Sequence, residues 1–180
     1  TEMWVSKRDL TNDEELPGAT LAIKDMDGNI VTTWVSTDEP HRVTGLHCGE
    51  SYTLTEIRAA DGYALADNIT FRLIQKTDEG GNPLEECEVY YLTTKNILFW
   101  KWDDWRLLDD ATVIMRDDIT KVQISKKDLT TKEELPGAEL TLTDEKGNEI
   151  DRWVSTDAPH YMERLPAGKY TLTEVTAPDG

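Results

Sequence analysis

Three strand-like stretches of this chain end an apolar face on a titratable side chain. In MWVSKRD (residues 3–9), strand alternation puts Met3, Val5 and Lys7 on one side. The same reading puts Tyr52, Leu54 and Glu56 of YTLTE on one side, and Val113, Met115 and Asp117 of VIMRD. An amine and two carboxyls gathered on core faces have a specific chemistry open to them. Desolvation disfavours the charged form of each group, so a buried Lys7 would act as a neutral amine, which is a nucleophile. Asp117, kept protonated, would be the electrophile, and Glu56 would carry protons between them. Attack of the amine on the Asp117 carboxyl, with loss of water, leaves an amide between the side chains. Confinement in a dry site gives the reactants a large effective molarity. Two plainer accounts stand beside this one. Each charge could lie where its strand emerges into water, since Lys and Glu are rarely fully buried. The three could also form a buried salt bridge, which is costly to desolvate.

The elements that must position these groups read as β throughout. Short runs rich in Val, Ile, Thr and Tyr are punctuated by turns such as LPGA and DGN. The pattern predicts strands near 3–8, 19–25, 30–36, 41–46, 51–58, 69–75 and 111–117, with a hairpin over 87–93 and 97–102. No stretch reads as a helix of useful length. Antiparallel strands at this spacing imply a sandwich.

An internal repeat sets the organisation. VSKRDLTNDEELPGATLAIKDMDGNIVTTWVSTDEPH at 5–41 returns as ISKKDLTTKEELPGAELTLTDEKGNEIDRWVSTDAPH at 124–160. YTLTEIRAADG at 52–62 returns as YTLTEVTAPDG at 170–180. Lys126 therefore matches Lys7, and Glu174 matches Glu56. The expected domains are a complete module over 1–119, with an aromatic-rich insertion near 75–110, and a second module over 120–180. That second module holds a donor lysine and a shuttle glutamate but no counterpart of Asp117. Beginning at Thr1 without an initiator methionine, the sequence reads as a piece of a longer chain.

Composition removes several function classes. The 180 residues carry 36 acidic and 19 basic side chains, a formal net charge of −17. Phosphates would repel such a surface, which argues against nucleic acid and against contact with an anionic membrane. No apolar run is long enough to span a bilayer. No cluster of His, Cys, Asp and Glu has metal-ligand spacing, and no cofactor is expected. The two cysteines, Cys48 and Cys87, leave a disulfide open, because spacing alone cannot show that they meet. LPAG at 165–168 falls inside a repeated scaffold turn and is not a sorting signal, and His41 and His160 belong to repeated PH turns.

The motif string VSKRD…ELPGA…YTLTE…A.DGY…ITF, followed by VIMRDD, resembles the collagen-adhesin B-type (CnaB, SpaA-like) domains of Gram-positive surface proteins and pilins. The resemblance implies an all-β fold of tandem immunoglobulin-like (prealbumin-like) β-sandwich modules. It further implies a spontaneous isopeptide bond, with Lys7 as donor, Asp117 as acceptor and Glu56 as catalytic proton shuttle; Lys126 and Glu174 repeat the donor and shuttle. Asp118 is the second choice of acceptor, pointed the other way by the alternation. An insertion at 75–110 is unlike the short connection usual in such domains, and a one-residue slip in the last strand would move the acceptor. The function implied is a structural stalk module of a cell-wall-attached, extracellular adhesin or pilin, in contact with neighbouring modules of its chain. Its chemistry is a single self-cross-linking turnover and not enzymatic turnover. The alternative is an adhesin domain that binds a host glycan or matrix protein. Phe99, Trp100, Trp102 and Trp105, with Tyr90 and Tyr91, would supply its aromatic platform. A plainer account has the paired aromatics covering a hairpin.

Overall fold

The computed structural model describes residues 1–97 and 100–178. Among the described residues all regular structure is β. The chain forms two compact units, one of residues 1–60 and 64–118, the other of residues 61–63 and 119–180.

In the first unit nine strands make two sheets. They are β1 (Glu2–Asp9), β2 (Thr20–Lys24), β3 (Ile30–Val35), β4 (His41–Thr44), β5 (Ser51–Arg58), β6 (Ile69–Thr77), β7 (Pro83–Ile97), β8 (Trp100–Leu108) and β9 (Thr112–Asp117). One sheet has the order β4-β1-β9 and the other the order β3-β2-β5-β6-β7-β8. Their inner faces supply a core of Met3, Val5, Leu21, Ile23, Leu54, Phe71, Leu73, Val89, Val113 and Met115, among others. The period-two alternation that predicted these strands is the alternation that packs them. β1 illustrates it: Met3, Val5 and Lys7 are buried while Trp4 is exposed. Ser6 breaks the pattern, buried on the other face by a hydrogen bond from its hydroxyl to Glu15.

One feature differs from the sequence expectation, and another settles what cysteine spacing left open. The insertion forms a much longer hairpin than 87–93 with 97–102. β7 pairs with β8 from Val89 opposite Leu108 to Ile97 opposite Trp100, and β7 also extends the sheet from β6. Charged and polar residues such as Glu88, Lys95, Asp103 and Asp104 interrupt the apolar signal of these strands, but ladder bonds do not depend on side-chain polarity. Cys48 and Cys87 do meet, in a disulfide that ties the β4–β5 loop to β7.

In the second unit β10 (Lys121–Ile124) pairs with β13 (His160–Glu163). β11 (Glu139–Asp144) lies between β12 (Glu149–Val154) and β14 (Tyr170–Thr176). The repeated sequence repeats its geometry. Leu21 opposes Trp34 in the first unit and Leu140 opposes Trp153 in the second, each pair followed by a bulge at the same place. Gly18 and Gly137 of the LPGA turns share a φ of +95°, a conformation only glycine adopts without strain. β10 is shorter than β1. β1 is held by β4 over residues 2–5 and by β9 over residues 4–9, whereas among the described residues β10 pairs only with β13.

The disulfide closes a sequence separation of 39 residues, for which the chain-entropy account gives about 4 kcal/mol. A Cys48→Ser/Cys87→Ser variant should therefore remain folded with a urea midpoint well below that of the parent. Reductant should bring the parent to the same midpoint and leave the variant unmoved.

Candidate functional site

Lys7, Glu56 and Asp117 converge inside the first unit. β1 and β9 are parallel neighbours in register, with Lys7 beside Met115 and Asp9 beside Asp117. Asp117 is thus two residues beyond the partner of Lys7, on the same face, within reach of a four-carbon side chain. Glu56 comes from β5 in the opposing sheet, so the site spans the sandwich. The Lys7 Nζ contacts Asp117 Oδ1 directly and lies 3.1 Å from Glu56 Oε1. The side chains of Lys7 and Glu56 are 1% and 0% exposed. Asp118, the second choice of acceptor, is only half-buried, and the insertion has not shifted the strand by a residue.

The surroundings fix each group. The main chain of Lys7 is held by Leu16 N–H, which donates to Lys7 O at 2.7 Å, so the segment after β1 folds back along its edge. Glu56 Oε2 accepts a 2.8 Å hydrogen bond from the Ala66 N–H. Its other oxygen is left facing Lys7, near enough to pair in charge but without hydrogen-bond geometry. Glu56 Oε1 and Asp117 Oδ2 are buried with no hydrogen-bond partner. Burial pushes the Asp117 carboxyl up to about 6, against the opposing pull of Lys7. The site therefore holds an amine against a carboxyl that is biased toward its neutral form, with a second carboxylate alongside and water excluded. That set can move a proton and condense an amine with an acid.

The second unit places its homologous pair differently. Lys126 Nζ lies 3.0 Å from Glu174 Oε2, but these side chains are 27% and 35% exposed. Among the described residues β14 pairs only with β11, and Leu172 and Val175 on it are exposed. The ion pair is thus solvated and of the kind that contributes little. No carboxyl corresponding to Asp117 stands beside Lys126 among the described residues.

The tryptophans do not share a platform. In β8, Trp102 opposes Lys95 and Trp105 opposes Leu92, so alternation sends them to opposite faces of the hairpin. Trp102 is exposed, while Trp105 is covered by the Arg72 guanidinium at 4.2 Å. Phe99 lies outside the described residues, and the structure describes only the main chain of Trp100. Each repeated histidine stacks on the tryptophan seven residues before it, His41 on Trp34 at 4.4 Å and His160 on Trp153 at 4.2 Å. The shared W-x6-H spacing was the available signal for this contact.

The Asp117 shift has a testable consequence. In Lys7→Met the ammonium that opposes the upward shift is gone, so the folded protein keeps a proton on Asp117 where an unfolded carboxyl, at about 3.9, has lost it. A folded value above the unfolded one gives stability that is full below the unfolded value and lost as pH rises through the folded one. The urea midpoint of Lys7→Met should be higher near pH 5 than near pH 8, relative to a Lys7→Met/Asp117→Asn control. Parallel pH profiles for the two would show that Asp117 is not desolvated.

The SpaA family of prealbumin-like fold domains matches residues 1–83 and 120–180. Lys7, Glu56, Lys126 and Glu174 lie inside the matched residues, and Asp117 lies outside them. No curated protein matches the chain. Among solved structures, the Bacillus anthracis TIE protein is 22% identical with a TM-score of 0.43, over 98% of this chain and 28% of that one. The shaft pilin SpaA of Lactobacillus rhamnosus GG is 13% identical with a TM-score of 0.41, over 100% and 89%. A streptococcal ancillary pilin is 18% identical with a TM-score of 0.38, over 100% and 54%. The chain thus spans under a third of the length of the first of these, and likenesses this distant carry no argument about function. The family match covers most of the sequence, and the chain belongs to the SpaA prealbumin-like domain family.

Proposed function

We propose that this chain is a structural stalk segment of a Gram-positive, cell-wall-attached pilin or adhesin, stiffened by an isopeptide bond between Lys7 and Asp117. The observation that carries the reading is the direct contact of Lys7 Nζ with Asp117 in a site closed to water, with Glu56 alongside. In the reaction, the Nζ lone pair attacks Asp117 Cγ and one carboxyl oxygen leaves as water. One N–C bond forms, one C–O bond breaks, and no electrons are gained or lost. With Lys7 as the neutral amine and Asp117 protonated, one Nζ proton departs and joins the leaving hydroxyl to make the water, with Glu56 as the relay. Its Oε1 is free of other hydrogen bonds and its Oε2 is anchored to Ala66 N–H, which supports this role.

The bond would join the first strand of the unit to its last, 110 residues apart. By the loop-closure account it contributes about 5 kcal/mol, and unlike a disulfide it survives reductant. Tension entering along β1 would pass to β9 through the cross-link. The modules before and after this segment are the partners such a role implies. The alternative, capture of a host glycan or matrix protein on an aromatic platform, has less support, since Trp102 and Trp105 face opposite ways.

Intact mass tests the reading. The purified chain should weigh one water less than its sequence. Lys7→Ala and Asp117→Ala should each restore the full mass, and Glu56→Ala should retain both reactants yet show the full mass or a slow loss. Lys126→Ala should leave the single loss unchanged, because among the described residues no counterpart of Asp117 stands beside Lys126. An unaltered parent mass would show that the three groups form an ordinary buried ion pair.

A further inference from the structure

β1 carries Lys7, and only one of its two edges is paired with a strand throughout. β9 pairs with it over residues 4–9, whereas β4 pairs over residues 2–5 and stops with Val5 opposite His41. In a parallel ladder alternate residues bond to the partner. Trp4 N–H donates to Ala111 O and Leu10 N–H donates to Asp117 O, so the even-numbered residues of β1 face β9. The main chain of Lys7 therefore faces the other way, on the stretch of edge that β4 does not reach.

The segment after β1 fills that stretch. Asp9 N–H donates to Glu14 O at 3.0 Å, and Leu16 N–H donates to Lys7 O at 2.7 Å. The Lys7 N–H goes to a side chain, Glu15 Oε2 at 3.3 Å. Glu15 Oε1 accepts from the hydroxyl of Ser6, whose oxygen in turn accepts from Arg8 Nε at 2.7 Å. Arg8 Nε also lies 3.5 Å from Glu15 Oε1, and the Glu15 side chain is only 15% exposed. One carboxylate thus grips three consecutive residues of β1, and bonds to such an acceptor are roughly twice as strong as neutral ones. The repeat supplies a comparison within the chain. Ser125, Lys126 and Glu134 match Ser6, Lys7 and Glu15, and Leu135 N–H still donates to Lys126 O at 2.7 Å. Among the described residues, however, Glu134 takes neither the Ser125 hydroxyl nor the Lys126 N–H. The main-chain clamp is present in both units, and the carboxylate grip accompanies only the lysine that meets an acceptor.

We propose that Glu15 is a positioning residue of the cross-linking site: its carboxylate fixes the main chain of β1 at Ser6 and Lys7, so that Nζ is held on Asp117. The inference rests on the proposed condensation of Lys7 with Asp117 and extends it to a residue that touches none of the reacting atoms. Reaction rates fall steeply with misplacement, about a hundredfold for about 1 Å, so slack in the main chain at Lys7 is felt at Nζ. Without the Glu15 acceptor the Lys7 N–H has water as its alternative partner, and the strand is then free to shift toward the edge that β4 leaves open.

The experiment weighs full-length chains made by cell-free synthesis and quenched in acid at intervals, and divides the rate of water loss by the folded fraction. That fraction comes from the same substitution in a Lys7→Met background, read by tryptophan fluorescence. Per folded molecule, Glu15→Ala and Glu15→Met should react slower than the parent by about tenfold or more. Glu15→Gln keeps an acceptor for the Lys7 N–H and should recover to within about threefold of the parent. Glu14→Ala should match the parent, because that side chain bonds to Asn12 and not to β1. A Glu15 that only stabilised the fold would leave the rate per folded molecule at the parental value in every variant, which overturns the inference. Equal slowing by Glu15→Gln and Glu15→Ala also overturns it, since the acceptor would not be what holds the strand. If Glu15→Ala does not fold, Glu15→Met, which keeps the length of the side chain, supplies the same reading. A parent that never loses water overturns the condensation and this inference with it, whereas a reacting parent with unslowed variants overturns this inference alone.

Discussion

The Lys7 side chain lies in the dry interior of the first unit, and the architecture around it answers the cost of burying it. Lys7 is in line with Met3 and Val5, so folding β1 onto the core carries the charge inward with them. An isolated buried charge would cost more than a domain can spare, and pairing offsets that only with close partners and exclusion of water. Both conditions require long-range order: a parallel β1–β9 ladder to set Asp117 two residues past Lys7, and an opposing sheet to bring Glu56 across. The residue that is hardest to bury thus depends on strands at the two extremes of the unit. It also resists every register but one, because a one-residue slip of β9 would put Arg116 or Asp118 at the core in place of Asp117.

Such a triad is a poor stabiliser as an ion pair and a good reaction site for the same reasons. Desolvation raises Asp117 toward its neutral form. The oxygens without hydrogen bonds, Glu56 Oε1 and Asp117 Oδ2, are acceptors with spare lone pairs in a place where no solvent proton is at hand. Condensation would remove the charge problem outright. An amide needs far less solvation than an ammonium and a carboxylate, so the energy spent on burying the reactants is relieved in the product.

Much of this was legible in the sequence, for a physical reason. Alternation has a period of two, so an ionisable residue in phase with apolar ones is conspicuous, and Lys7, Glu56 and Asp117 each stood in phase. The repeat gave the strand phases of the second unit from those of the first. Properties that depend on which strands meet were not legible. The Cys48–Cys87 pairing required knowing that the β4–β5 loop passes β7. The reach of the hairpin was hidden because β7 and β8, beyond Val89 and its neighbours, carry charges along an open part of the sheet, where no buried face enforces apolar residues. Trp102 and Trp105 are three apart, an odd separation that on a strand divides faces, so the loss of a common platform follows from the strand extending through both.

The second unit shows why motif and site are different things. It has the lysine and the glutamate at the repeated positions, and they find each other at 3.0 Å. What it lacks among the described residues is a strand beside β10 equivalent to β9, and one beside β14 equivalent to β6. Without them β10 stops at Ile124, before it reaches Lys126, and the side chains of Leu172 and Val175 remain in water. The same two residue types are then an exposed ion pair with ordinary solvation. The burial of Lys7 is therefore a property of the strands that enclose it, and the local sequence SKRD specifies only which side chain is to be enclosed.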